Sequence, residues 1–397
     1  MSTTALKKLL KRSAPLARLN AALKNRQLER RTREIGEEYR SRVDRVAAAP
    51  PDLAALVAAR MAAGGTRTLA GKGSPGIFLV GTYYEQENSG FIQALDRAGR
   101  LVALKTATGT YGLRPPSGAW DPETREENAR QIVGQVTAAR ASGAVDVLIG
   151  TMVAQTVPAE ALRQVRAMGI PVLNIAMDDR LTDHWERHAS TPLGAIGLAP
   201  DVDLVLQTTT EYLPRYLAGG HPAVFWPFGS DPSLFTPSDD KRYDVVFVGN
   251  NYGWRAMLIR DLQRAGIRVE CFGSGFPNGH IDAARVAAVF AQARIVLGVG
   301  TVAHSRRIVT LKLRDFDGPM SGSLYVTTEN PDLHALFDVG REMLTYRSPR
   351  ECLALLRRYL ADEPARAAIA AAGRRRAVRD HTWDQRIRQA FQLIGQA

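Results

Sequence analysis

Short, uninterrupted apolar runs recur along the chain, separated by segments whose apolar residues return every three or four positions. The first run is PGIFLVG (75–81), and GFIQALDRAGR (90–100) follows with a helical period that ends at glycine. LVALK, VDVLIG (145–150), PVLNIAM (171–177), VDLVLQ (202–207) and PAVFWP (222–227) repeat the strand pattern, while NARQIVGQVTAARASG and PAEALRQVRAMG supply helices between them. A strand that is apolar at every position must be covered on both faces, so this alternation predicts an α/β fold with parallel sheets between helical layers. The segment WPFGSDPSLFTPSDDKR (226–242) has neither period and carries Pro227, Pro232 and Pro237, as a linker would. The alternation then restarts with YDVVFVGN, WRAMLIRDLQRAG, RVECFG, RIVLGVG, SLYVTTE and EMLTY. The pattern predicts an extension over 1–73, a Rossmann-like domain over 74–228, a linker over 229–242, a second Rossmann-like domain over 243–375 and a C-terminal helix over 376–397. In open sheets of this kind ligands bind beyond the carboxyl ends of the strands, here in the cleft between the two halves.

The extension reads as helix over 5–46. Leu6, Leu9, Leu10, Leu16, Leu19 and Leu23 keep helical spacing, Pro15 is expected to bend or break the run, and Ile35, Tyr39, Val43 and Val46 continue a stripe. The formal charge of +12 is concentrated here, with 14 Lys/Arg against 6 Asp/Glu in residues 1–60 and 38 against 34 in the remainder. Three uses of such a segment stand: packing on the following domain, peripheral contact with anionic lipid, and nucleic-acid binding. The last is disfavoured because Tyr39 alone interleaves aromatic character among the basic residues, and no nucleic-acid partner is expected. Cys271 and Cys352 match no ligand or disulfide spacing, which predicts a reducing environment. No apolar run reaches the roughly 18 residues of a membrane span, and the expected location is cytoplasmic, with membrane-peripheral contact open.

Several polar groups fall where chemistry would need them. Asp178-Asp179 directly follows the strand PVLNIAM, where a carboxylate facing the cleft can bind an acceptor hydroxyl or take its proton, or else cap the next helix. With His184 they are the catalytic candidates; His188 shares a helical spacing with His184, but the HExxH zinc motif is absent and no metal site is predicted. Asp201-Val202-Asp203 precedes its apolar run rather than following it, so it reads as ordinary strand-edge polarity, not as a metal–nucleotide motif. GSGFPNG (273–279) spaces its glycines wrongly for a dinucleotide fingerprint and reads as a tight turn bordering the cleft. In VFVGNNYGWR (246–255), a strand, a glycine turn and a helix bearing Arg255 suit a diphosphate, with Gly249 and Asn250 contributing backbone; an exposed surface arginine is the alternative. On the first half, Gly81, Tyr83, Tyr84 and Asn88 (GTYYEQEN) are expected on the acceptor side, with Arg114 and Trp120 bordering the same opening.

The segment LKLRDFDGPMSGSLYVTTENPDLHALF (311–337) crowds Lys312, Arg314, Asp315 and Asp317 into one turn before a Gly-Pro-Met-Ser-Gly break, as if something must approach closely. Arg314, Phe316, Asp317, Pro319, Gly322, Phe337, Gly340, Glu342, Tyr346, Tyr359, Leu360, His381, Thr382 and Arg386 follow in an order that resembles the C-terminal domain of group-one-type glycosyltransferases, specifically the branch similar to spore maturation protein CgeB. The resemblance is carried by residues 240–390 and is weaker before them. It implies a GT-B fold: two Rossmann-like domains with parallel sheets facing across a cleft, the nucleotide-sugar held mainly by the second. It also implies that Asp317, where the family usually has Glu, binds the ribose hydroxyls. Lys312 or Arg314, with Thr310 assisting, would neutralise the diphosphate leaving group without a metal. The wider family's second acid, eight positions earlier, is here Val309, so sugar recognition does not carry over; His304, Ser305, Arg306 and Arg307 are substitutes facing the cleft.

The expectation is therefore a metal-independent glycosyltransferase with no cofactor beyond its nucleotide-sugar co-substrate and an acceptor of unknown class, whether glycan, lipid or protein. The rival is a catalytically silent nucleotide-sugar or glycan-binding module of the same fold.

Overall fold

A computed structural model describes residues 14–395. Leu6, Leu9 and Leu10 of the N-terminal stripe therefore lie outside the described residues. From Ala14 one helix, α1, runs to Ala48 without a break, with Pro15 at the start of its described part. The chain then turns through α2 (Leu53–Gly64), capped by the Asp52 carboxylate, which accepts from the Ala54 and Ala55 amides.

The first sheet contains β1 (Gly76–Val80), β2 (Arg100–Ala103), β3 (Val147–Gly150), β4 (Val172–Ala176), β5 (Leu204–Gln207) and β6 (Ala223–Phe225), in the spatial order β2-β1-β3-β4-β5-β6. Every pair is parallel. Alternate side chains go to opposite faces. Phe78 and Val80 join α4 (Pro122–Ala141), α5 (Ala159–Ala167), α6 (Leu213–Ala218) and the Ile35/Tyr39 face of α1. Ile77 and Leu79 join α2 and α3 (Phe91–Ala98). The second sheet contains β7 (Tyr243–Val248), β8 (Val269–Phe272), β9 (Ala293–Leu297), β10 (Leu324–Thr328) and β11 (Leu344–Tyr346), ordered β8-β7-β9-β10-β11 and again parallel throughout. Its faces are covered by α7 (Gly253–Arg264) and α10 (Pro349–Ala361) on one side and by α8 (Ala283–Ala291) and α9 (Arg314–Met320) on the other. The strands predicted from apolar runs are the strands observed, because a run buried on both faces has no other place in a layered fold.

Two features couple the lobes. After α11 (Glu363–Asp380), the last helix α12 (Trp383–Gly395) leaves the second lobe and packs on α3 in the first. Its Trp383 lies 4.9 Å from Phe91 and 5.7 Å from Trp226 between ring centroids, and Arg97 ties it down by donating to Asp384 at 2.9 Å and to Asp231 at 2.9 Å. The linker adds Ser230, which bridges to Thr382 and donates to Asp317 at 2.6 Å. Trp383→Ala, emptying this buried junction, should cost about 3–5 kcal/mol of stability, read from urea unfolding of the full chain.

Candidate functional site

The charged turn ahead of the Gly-Pro-Met-Ser-Gly break divides its charges by direction. Asp315 points inward: its carboxylate accepts from the Tyr325 hydroxyl at 2.5 Å and from the Lys312 backbone amide at 2.6 Å, which fixes the turn. What approaches closely is the protein's own strand, since a Cβ on Gly318 would stand 2.4 Å from the Tyr325 ring. The small residues thus seat α9 against β10. Arg314 and Lys312 are left facing the cleft, and neither pairs with Asp315 or Asp317 within ion-pair distance among the described residues.

Opposite them the chain leaves β7 through Gly249, whose φ of 151° is a glycine conformation. A Cβ there would lie 2.7 Å from Arg314 Nη2 and 3.4 Å from Arg255 Nη1, so the glycine makes room for two guanidinium groups. Arg255, the first-turn arginine of α7, is buried rather than a surface residue; it donates to the Asn250 carbonyl at 3.4 Å and to the Tyr252 hydroxyl at 3.3 Å, and lies 4.3 Å from the Tyr252 ring. Arg314 lies 5.1 Å from the Phe247 ring, and its buried Nη1 has no partner. Burial, with Arg314 beside it, brings the Arg255 guanidinium down to about 10. Burial likewise brings the Lys312 ammonium down to about 8, the Asp178 carboxylate partly offsetting and Arg314 and Arg255 reinforcing the shift. Three cations gathered here, Arg255 buried and Lys312 and Arg314 half-buried, with no carboxylate in ion-pair distance among the described residues, are costly unless an anion is to be received.

Lys312 and Arg314 line one end of a 540 Å³ cavity between the lobes, within the size range of small-molecule sites, whereas Arg255 lies outside the lining, beside Arg314. Gly249, Asn250, Lys312, Arg314 and Asp317 line it from the second lobe, and Tyr83 and Asp178 from the first. Val248, Ile281, Val286, Phe290 and Leu311 make an apolar side near Gly273 and His280. Asp317 sits at the floor with one carboxylate oxygen held by Ser230; burial pushes its carboxyl well above the usual carboxylate range, and Ser230 and Arg314 counter this only in part. The GSGFPNG turn borders the cavity through Gly273 and brings His280 to it.

Other candidates lie elsewhere. Asp179 is a core residue: its carboxylate accepts from Gln207 Nε2 at 2.6 Å and from the Tyr216 hydroxyl at 2.7 Å, and burial raises its pKa. His184 is set beside it on a 3-10 turn, outside the cavity lining. Of the three catalytic candidates, Asp178 alone is among the lining residues. No three His, Cys, Asp or Glu side chains gather as a metal cluster among the described residues. Thr310 is buried with its hydroxyl 3.5 Å from that of Thr209, a contact between lobes rather than a cavity wall. Gly81 serves packing, because a Cβ would meet the Tyr111 hydroxyl at 2.2 Å. Asn88 accepts from Gln93 at 3.0 Å, and Tyr84 lies edge-on to Tyr111 at 5.1 Å; neither lines the cavity. Trp120 offers no free face to a sugar: His188 stacks on it at 3.9 Å and the Arg125 guanidinium lies 4.0 Å from its centre, while Arg114 pairs with Glu123 at 2.9 Å. Asp203 is a structural acid bound by Arg166 at 3.0 Å. Sequence reasoning missed Glu87, which lines the cavity while accepting from the Thr82 amide at 3.0 Å and from Tyr111. It also missed Trp226, Phe228 and Trp383; the aromatic character of WPF and HTW was the available signal.

Residues 255–392 match the family described as Glycosyl transferase-like. No curated protein matches the chain. Among solved structures it is similar to sucrose-phosphate synthase from Thermosynechococcus elongatus, at 14% identity and a TM-score of 0.57 over 81% of this chain and 98% of that one. It is also similar to a glycosyltransferase from Rickettsia africae (10% identity, TM-score 0.56, 81% of this chain and 98% of that one). A third similar structure is Anabaena HepE solved with UDP-glucose (13% identity, TM-score 0.54, 80% of this chain and 98% of that one). The architecture is GT-B, as the motif order implied. The two-lobed fold is that of these GT-B structures, and the stretch that matches the Glycosyl transferase-like family falls in the second lobe and α12.

The cation cluster predicts that inorganic pyrophosphate binds and that its affinity falls as pH rises through about 8, because Lys312 is charged below that value and neutral above it. Lys312→Met should lower affinity about tenfold or more and remove that inflection, and Gly249→Ala should weaken binding by displacing Arg314; titration calorimetry across pH checks both.

Proposed function

We propose that the protein transfers a sugar from a nucleoside diphosphate-sugar to an acceptor bound on the first lobe. The observation that carries this is the set of Arg255 and Arg314 beside Gly249 with Lys312 close by, the first buried and the other two half-buried at the cleft, with no carboxylate in ion-pair distance among the described residues. As the bond between the anomeric carbon and the diphosphate oxygen breaks, negative charge grows on the leaving group. Fixed cations stabilise it without reorganising. Asp178, on the facing lobe, takes the proton of the acceptor hydroxyl as its oxygen bonds to the anomeric carbon. Asp317 at the cavity floor and the apolar side at Ile281 and Phe290 receive the nucleoside. HepE was solved with UDP-glucose, which makes uridine donors the first to test. The order of motifs from Arg314 to Arg386 favours the CgeB-like branch within the class.

A silent binding module is the second reading, favoured by Val309 in place of an acid and by the restraint of Asp317 through Ser230. UDP release from a panel of UDP-sugars separates the two: binding without turnover supports the module. For the enzyme, Arg314→Ala should lower turnover about a hundredfold or more. Asp178→Asn should lower turnover at least about a hundredfold while leaving UDP affinity within severalfold of the native protein. Because the protein's own cations neutralise the leaving group, chelation by EDTA should leave the rate unchanged.

A further inference from the structure

Helix α1 carries two differently directed stripes. Ile35 and Tyr39, with Val43 beside them, pack into the first lobe. Leu19, Leu23, Arg26, Arg30 and Arg33 recur at alternating intervals of four and three, which places them on one face of the helix, roughly opposite the packed one. All five are exposed, and Leu19 and Leu23 are 58% and 56% accessible, among the largest exposed apolar side chains of the described residues. A helix that only needed to pack on the lobe would gain nothing from leucines turned to water. The charge is as one-sided as the geometry: residues 1–33 contain ten Lys/Arg and one acid, so this segment contributes +9 of the chain's +12. Arg30 has a partner in Glu34 at 3.4 Å, but both side chains are well exposed and the pair leaves the face strongly positive.

We propose that this face of α1 docks on an anionic phospholipid surface, the two leucines entering the boundary between headgroups and acyl chains and the arginines meeting the lipid phosphates. Charge complementarity selects the partner. A strongly basic face with two leucines at its N-terminal end matches a bilayer that is negative outside and apolar beneath, and long arginine stems reach the phosphates while their methylenes stay near the apolar boundary. Aromatic residues, which would stack on nucleic-acid bases, are absent from the face. No described helix is long and apolar enough by itself to cross a membrane, and the proposed contact is with the surface. The inference is independent of the donor site, and its readout is binding.

The test is co-sedimentation of the full chain with vesicles of phosphatidylcholine alone and of phosphatidylcholine mixed with phosphatidylglycerol. Binding is expected for the mixed vesicles only, weakening as salt is raised. Leu19→Asp with Leu23→Asp, and separately Arg26→Glu with Arg30→Glu and Arg33→Glu, should each weaken it about tenfold or more. These positions are exposed, so circular dichroism and the thermal midpoint should match the native protein. As a second readout, the emission of a Leu23→Trp variant should shift to the blue with mixed vesicles. No binding to mixed vesicles, or undiminished binding by the leucine variant, overturns the proposal. Tighter binding to duplex DNA through the same arginines, or self-association lost in the leucine variant, also overturns it.

Discussion

Keeping two guanidinium groups and an ammonium together with no carboxylate in ion-pair distance among the described residues is the constraint around which the second lobe is arranged. Burial disfavours the charged forms of Arg255 and Lys312, and the neighbouring Arg314 adds to this at both. The arrangement holds because the backbone beneath it is over-determined. Asp315 spends its carboxylate on the Tyr325 hydroxyl and the Lys312 amide, so this acid shapes the turn and forms no ion pair with Arg314. Phe247 gives Arg314 an aromatic face, Tyr252 does the same for Arg255, and Gly249 leaves out the side chain that would have pushed them apart. The stability forgone here is recovered in the two apolar layers of the β7–β11 sheet.

The strands, the two-lobed architecture and the placing of a basic turn at the cleft were readable because each is encoded locally. A run such as YDVVFVGN has one physical solution, and Lys312 and Arg314 stand beside an acid and a glycine break that limit where the turn can go. The first lobe's share of the site was harder to read. Asp178 and Asp179 are adjacent and chemically identical, but successive residues leave a strand end in opposite directions. One lines the cavity and the other is sealed under Tyr216. Trp120 likewise looks available in sequence until His188, far along the chain, covers one face and Arg125 the other. Glu87, Phe228 and Trp383 come to one cavity from widely separated segments, and no periodicity records such a meeting.

The two lobes meet through groups that belong to neither sheet. Ser230 in the linker holds Asp317, Thr209 faces Thr310, and Thr210 donates to Asp332, so the cavity floor and its inner edge are set by contacts between lobes. The aromatic junction of Phe91, Trp226, Phe228 and Trp383 supports that floor from the first lobe. The cavity and the spacing of the lobes are thus linked through Asp317, which lines the one and is held by the linker that sets the other.

The return of α12 also bears on how the chain comes to be folded at all. Ile387, Ala390 and Ile394 complete an apolar layer begun by Ile77, Leu79 and Leu95, some three hundred residues upstream. During synthesis the early lobe must wait with that layer open until α12 has emerged from the ribosome, which exposes the layer to chaperone capture in the interval.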